Sequence, residues 1–230
     1  MALLGKGVLA IWNGITETGE AEFIRWHIRE HIPERVGLPG FLRGRRYIAH
    51  EGNPKYFNFY ETETPQTLQS PAYRARLDAP TPWTQAVVRE FRDTSRTICE
   101  VVASLGTGEG AWVETIRFGR ADDPEILHRG VVSLIKDIAA EDGIVGVHFL
   151  RGVNGQGSVP TVESKLRGQP DVTCEWILLV EAATKGSVDA LRIGVCSDEA
   201  IHRLSSGATA ERGTYLLQYA LTHAEIGRTG

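Results

Sequence analysis

The chain is poor in the features that mark a specialised environment. Three cysteines, Cys99, Cys174 and Cys196, are spread over 230 residues. Their wide spacing excludes a Cys-based metal motif, and their odd number argues against a disulfide framework. Cys99 and Cys174 fall in strand-like apolar runs and are expected as small buried residues. No apolar run approaches the roughly 20 residues of a membrane span. The opening stretch, Met-Ala-Leu-Leu-Gly-Lys-Gly, is too short for a secretory signal before strand pattern begins. Charge of one sign is also scarce: a net −4 gives no electrostatic reason to expect nucleic acid or an anionic membrane as partner. No glycine-rich phosphate loop follows a strand, and neither Ser104 nor Ser133 lies in a nucleophile elbow. The expectation is a soluble protein in a reducing, cytoplasmic setting.

What is present is ordinary globular material, 42% hydrophobic and 23% charged, enough for one large core or two small ones. Arg25, Arg29, Arg43, Arg45 and Arg46 lie close together, interleaved with Glu22, Glu30, Glu34 and Glu51. That mixture reads as a solvated face.

Periodicity and turn residues predict a strand over 7–14, a helix over 20–36 and strands over 42–51 and 55–62. A helical region over 65–93, broken near Pro80 and Pro82, and a strand over 96–105 complete a βαββαβ order. A glycine-rich joint, Gly106-Thr-Gly-Glu-Gly110, follows. The order then repeats: strand 111–119, helix 123–142, strands 145–153 and 173–182, helix 185–205 and strand 212–222. Asp122 or Asp123 before Pro124 makes a good helix start. The segment from Asn154 to Asp171 is rich in Gly, Ser and Pro, and so long a connection is either a functional lid or disordered chain. Two tandem units are expected, residues 1–106 and 111–230, with Gly40-Phe41-Leu42 matching Gly143-Ile144-Val145 at an offset of about 103 residues.

A βαββαβ unit forms a four-stranded antiparallel sheet with both helices on one face. The other face should be apolar, because Val8-Leu-Ala-Ile-Trp12 and Trp176-Ile-Leu-Leu-Val180 are greasy on both sides. Such a face needs a second sheet to cover it. The expected fold class is α+β: two antiparallel sheets closed into an intrachain barrel with helices outside.

The most informative segment is Phe23-x-x-Trp26-His27-x-x-x-His31-x-Pro33, followed by Leu38-Pro39-Gly40 and Tyr47. At about 100° per residue from Phe23, His27 falls near 40° and His31 near 80°, among Ile24, Ile28 and Ile32. Trp26, Arg25, Arg29 and Glu30 fall on the other side. Both histidines are therefore expected to face the sheet, where an imidazole needs partners such as Asn13, Tyr47, Tyr56, Asn58 or Tyr60. A structural reading, with the pair serving a polar network under the helix, stands beside an acid–base reading. No metal is expected: Ile28 stands where the Glu of a zinc HExxH motif would be, and no third ligand is placed. Of the five tryptophans, Trp26, Trp83, Trp112 and Trp176 read as packing residues. Trp12 ends the first strand near the histidine helix and reads as a pocket wall. Trp83 and Tyr73 could rim the pocket.

These residues resemble the signature of the dimeric α+β barrel superfamily, nearest to EthD-like proteins, whose first helix is aromatic-rich with a His-x-Pro near its end before a Leu-Pro-Gly turn. The resemblance covers about residues 8–91 and is most specific in the first helix. It implies a ferredoxin-like barrel, ordinarily built by two chains and here within one, and a pocket between sheet and helices. It implies a family ranging from cofactor-free monooxygenases, isomerases and cyclases to haem proteins, and it carries His31 over as a polar pocket residue. His27 has no counterpart in the motif. In the second half the matched positions are Ile126 for Phe23, Gly130 for His27 and Leu134 for His31, so a single pocket in the first half is expected. His148 and His202 are the available haem ligands, but neither has a supporting motif.

The expected activity is that of a small-molecule enzyme without organic cofactor, acting on a hydrophobic or aromatic carbonyl compound. His31 and His27 would do the acid–base work, with Trp12, Tyr47, Asn58 and Tyr60 holding the substrate. The expected oligomer is a monomer with an internal pseudo-dimer, or a homodimer. The alternative is a non-catalytic binding or assembly module, and a haem-binding barrel is a more distant one.

Overall fold

Eight strands carry the fold: β1 (Gly7–Ile15), β2 (Phe41–Glu51), β3 (Tyr56–Thr62), β4 (Phe91–Gly106), β5 (Trp112–Phe118), β6 (Ile144–Gly152), β7 (Trp176–Ala182) and β8 (Ala210–Thr222). In this computed structural model, residues 3–153, 160–168, 171–205 and 207–227 are described. The expected Asn154–Asp171 connection thus falls partly outside the described residues. All strand pairings are antiparallel, and the barrel closes in the order β1-β3-β2-β8-β5-β7-β6-β4. Each half of the chain contributes four neighbouring strands in the same relative order, β4-β1-β3-β2 and β8-β5-β7-β6. The halves meet along β2–β8 and β4–β6, so no strand is left as a free edge.

The helices lie outside. In the first half, α1 (Glu20–Trp26) and α2 (Ile32–Val36) flank a π turn, and α3 (Pro71–Asp78) and α4 (Pro82–Val88) follow β3. In the second half come α5 (Pro124–Ala140), α6 (Val162–Leu166), α7 (Lys185–Ile193) and α8 (Asp198–Leu204). Starts are set chemically: the Asp123 carboxylate accepts from the Glu125 and Ile126 N–H groups, and Ser70, Thr81, Thr161, Thr184 and Ser197 cap in the same way. Gly44 lets α2 lie close to β2, because a Cβ there would meet Val36 Cγ2 at 2.9 Å. Two long helical expectations break up. Residues 65–93 become a 3-10 turn, α3 and α4, with β4 starting at Phe91, and residues 185–205 divide into α7 and α8. Prolines at the first turns of α3 and α4 restart the helix each time.

The barrel interior corrects two expectations. It is apolar at Val8, Ala10, Trp12, Phe57, Phe59, Leu150, Ile177 and Leu179, but it also holds a buried ionic chain. Arg45 donates to Glu181 (2.9 Å) and to Glu61 (3.1 Å), and Arg43 Nε donates to Glu61 (2.7 Å). His148 lies 3.3 Å from Glu181 and 2.9 Å from Ser104. Arg43, Arg45 and Arg46 are therefore not part of a solvated face; all three are buried. Arg43, Arg45 and Tyr47 alternate along β2 and point inward together. Burial alone would raise the Glu181 carboxyl, but the Arg45 guanidinium and the His148 bond outweigh it and hold it at about 2. Cys99 and Cys196 are buried, Cys174 is half-buried, and all three are free thiols.

Candidate functional site

The helix over 20–36 is α-helical at both ends and widened between them. Residues His27–His31 form a π turn, in which the Ile32 N–H donates to the His27 carbonyl five residues back. Pro33 supplies a local cause: it lacks an N–H, and its ring crowds the carbonyl four residues before it, so the preceding turn opens. The widened turn brings residues five apart side by side. Trp26 and His31 have ring centroids 4.2 Å apart, and His27 and His31 stack at 5.4 Å with an interplanar angle of 16°. Phe23 stacks on His27 at 4.9 Å. Trp26, expected on the far side, is instead 1% exposed, and its indole N–H donates to Thr84 (3.1 Å) and Glu30 (3.2 Å).

Opposite the imidazoles lies the outer face of β1 and β3. Tyr60 Oη is 3.5 Å from His27 Nε2, and the Asn58 amide donates to Asn13 Oδ1 at 2.7 Å. Between helix and sheet is a cavity of about 30 Å³, room for one or two water molecules. Its wall includes Trp26, His27, His31, Asn58, Tyr60 and Tyr73, and it is closed by Arg35, Arg96, Glu163 and Arg167. Three buried polar atoms have no partner: His27 Nδ1, His31 Nδ1 and Asn58 Oδ1. Orphans of this kind are rare in a folded core and call for an explanation.

Both imidazoles are held well below the usual histidine range. For His27 the cause is burial first, then the Arg46 and Arg35 charges; for His31 it is burial, then Arg35, His27, Arg167 and Arg76. Each is therefore neutral at physiological pH and carries a lone pair able to take a proton. Burial pushes the Tyr60 phenol well above its ordinary value, so it remains a hydrogen-bond donor.

The structure brings His27, His31, Asn58 and Tyr60 together, with Tyr73 beside them as a wall. It places Trp12 and Tyr47 elsewhere. Both point into the barrel: Trp12 stacks on Phe57 at 4.5 Å beneath the Arg117 guanidinium, and Tyr47 packs at 5.5 Å from the same ring. Alternation explains the separation, because Trp12 and Tyr47 lie on the inward-facing set of their strands while Asn58 and Tyr60 lie on the outward set. Tyr56 bonds to Glu20, and Trp83 donates to Glu22 at 2.6 Å. His148 has both nitrogens engaged inside the barrel and His202 is exposed on α8, so neither fits as an axial haem ligand. Among the described residues, no group of three or more His, Cys, Asp or Glu side chains is placed to hold a metal, and no helix is long and apolar enough to cross a membrane.

Arg35, Arg96, Glu163 and Arg167 are pocket residues that sequence reasoning missed. Arg35 donates to Glu163 (2.5 Å) and Glu34 (2.8 Å), while Arg167 pairs with Asp171 (2.6 Å). Glu163 and Arg167 sit on and just after α6, inside a connection that carried no pattern pointing to the pocket. The signal available was for Arg35 alone, which lies one helical turn from His31 and so shares its buried side. A second, larger cavity of about 420 Å³ adjoins the first, with Phe91, Thr94 and Arg167 in both walls.

No protein-family model matches the sequence, and no curated protein matches it. Solved structures do. An anthrone oxidase-like protein superposes with a TM-score of 0.64 at 13% identity, covering 97% of this chain and 95% of its own. A proposed monooxygenase from Fusobacterium nucleatum gives 0.62 at 9% identity, covering 96% of each chain. A proposed chlorite dismutase gives 0.55 at 12% identity, covering 97% and 98%. The fold is that of a dimeric α+β barrel. At these identities the likeness extends to architecture and leaves the chemistry to the site itself.

Proposed function

We propose that the chain is a small-molecule enzyme of the EthD-like type. It acts without organic cofactor on a hydrophobic or aromatic carbonyl compound, by proton transfer at His31. One observation carries the reading: two neutral, buried imidazoles, each with an unpartnered Nδ1, lie against a cavity. His31 Nδ1 takes a proton from carbon beside the carbonyl. The developing oxyanion is met by the Tyr60 hydroxyl, and Asn58 and His27 orient the ring. Residues 1–106 and 111–230 are read as tandem units, the second acting as scaffold and completing the barrel in a monomer.

The relative named as anthrone oxidase-like indicates a probe, since anthrone is an aromatic ketone with an acidic C–H. The test is deuterium exchange at that carbon, followed by NMR in D₂O. The expected result is faster exchange with wild-type protein, falling by about 10²-fold or more in His31→Ala. Equal exchange in the two proteins overturns the base assignment.

A second reading is favoured by the small volume of the cavity: a carrier or assembly module that binds a ligand without turning it over. It predicts saturable binding of anthrone with no exchange above background.

A further inference from the structure

The charges around the pocket do not balance. Three guanidinium groups, Arg35, Arg96 and Arg167, reach its wall, and the carboxylate there is Glu163. Both imidazoles add no positive charge, since they are neutral. Arg167 is answered by Asp171 at two contacts, 2.8 and 2.6 Å. Arg35 is 3% exposed and divides itself between Glu34 and Glu163. Arg96 has no carboxylate partner among the described residues; its guanidinium donates to the Tyr73 hydroxyl at 3.0 Å. Arg35 lies over the ring of the same tyrosine, 5.9 Å from its centroid. Arg35 and Arg96 are thus held on either side of Tyr73, facing the space that holds the unpartnered nitrogens of His27 and His31.

Glu163 reaches this space from α6, in another part of the chain. Its carboxylate fills the position against Arg35 that a charged ligand would take. Arginine recognises a carboxylate or a delocalised oxyanion with strong, directional bonds when water is excluded.

Taking the histidine pocket as the ligand site, on which this step rests, we infer that Arg35 and Arg96 form an anion subsite for an aromatic ligand bearing a carboxylate, phenolate or enolate oxygen. Glu163 holds that subsite until the ligand's oxygen replaces it. Arg96 supplies charge selectivity, and Glu163 acts as an internal competitor. The ligand's ring lies along Trp26 and the two imidazoles.

The experiment compares two probes of nearly the same shape, 2-naphthoate and 2-naphthamide, by calorimetry on the full chain. In the wild type, naphthoate is expected to bind about tenfold or more tightly than naphthamide. Arg96→Gln is expected to remove that preference while leaving naphthamide binding unchanged, and Arg96→Lys to restore part of it. Glu163→Gln is expected to tighten naphthoate by about fivefold without moving naphthamide. Thermal denaturation of each variant checks that it folds. Equal binding of the two probes by wild type overturns the anion subsite and leaves the pocket reading standing. A naphthoate preference that survives Arg96→Gln also overturns it. Failure of both probes to bind overturns the pocket reading together with this one.

Discussion

The two helix–sheet interfaces of this barrel have the same outline and opposite contents. In the second half, α5 turns Leu127, Val131, Ile135 and Ile138 onto the sheet, all at 3% exposure or less. They pack with Val147, Phe149, Leu178 and Val180 into a continuous apolar core. In the first half, the corresponding helix presents Phe23, His27 and His31 at the same spacing of four, over a cavity with unpartnered polar atoms. The buried spacing matches His27 with Val131 and His31 with Ile135, one residue on from the offset drawn from the glycine turns; Ile126, the earlier match for Phe23, is 46% exposed. One side of the molecule maximises packing and the other gives some of it up. Orphaned imidazoles cost stability, and a fold retains such groups where something is to be bound or moved.

The sharpest way to break this comparison is to transplant chemistry. Ile135→His puts an imidazole into a site with no cavity and no polar partner, and is expected to cost about 4 kcal/mol in urea unfolding. Truncation comes next: Ile135→Ala should cost about 3 kcal/mol by leaving a void, whereas His31→Ala, already beside a cavity, should cost about 1 kcal/mol. A His31→Ala loss as large as that of Ile135→Ala would mean that the two interfaces are equally well packed.

Acid should act on the first half selectively. The folded-state values of His27 and His31 lie below the unfolded one, so as pH falls through about 6.5 the unfolded chain takes up protons that the folded chain refuses. The stability that the two residues retain above that pH is then lost. Between pH 7 and 5.5 the loss should be about 2.5 kcal/mol for the pair. A His27→Gln, His31→Gln double variant should flatten this slope, and an unchanged slope would assign the acid sensitivity to other groups. The smallest effect is the reverse transplant. His31→Leu should gain about 1 kcal/mol while abolishing probe binding.

Much of the architecture was legible in the sequence because it depends on short-range rules. The strands, the glycine joint and the Asp123-Pro124 helix start were read from alternation and turn chemistry, and all recur close to their expected places. The inward-facing set of β2 could have been read as well, since Arg43, Arg45 and Tyr47 are two apart. The charge of the arginines argued for solvent, and their buried partners, Glu61 and Glu181, come from strands far along the chain. At the site, His27, His31, Asn58 and Tyr60 were found because helix and strand each keep one face together. Trp12 and Tyr47 were assigned to the pocket by nearness along the chain, which does not distinguish the two faces of a sheet. Glu163 was beyond reach, since its contact with Arg35 spans 128 positions and follows no period.

The π turn has an evolutionary and an experimental consequence. A π turn is an α-helix carrying one residue too many, so the site owes its geometry to length as much as to composition. Every side chain here can be retained while the site is dismantled. Deleting Ile28 alone would let the helix close to regular pitch and rotate all that follows by about 100° relative to Phe23. Trp26 and His31 would then stand four apart instead of five, and their stack would be lost. Homologues should therefore be compared first by the number of residues between Trp26 and Pro33, and only then by their identity.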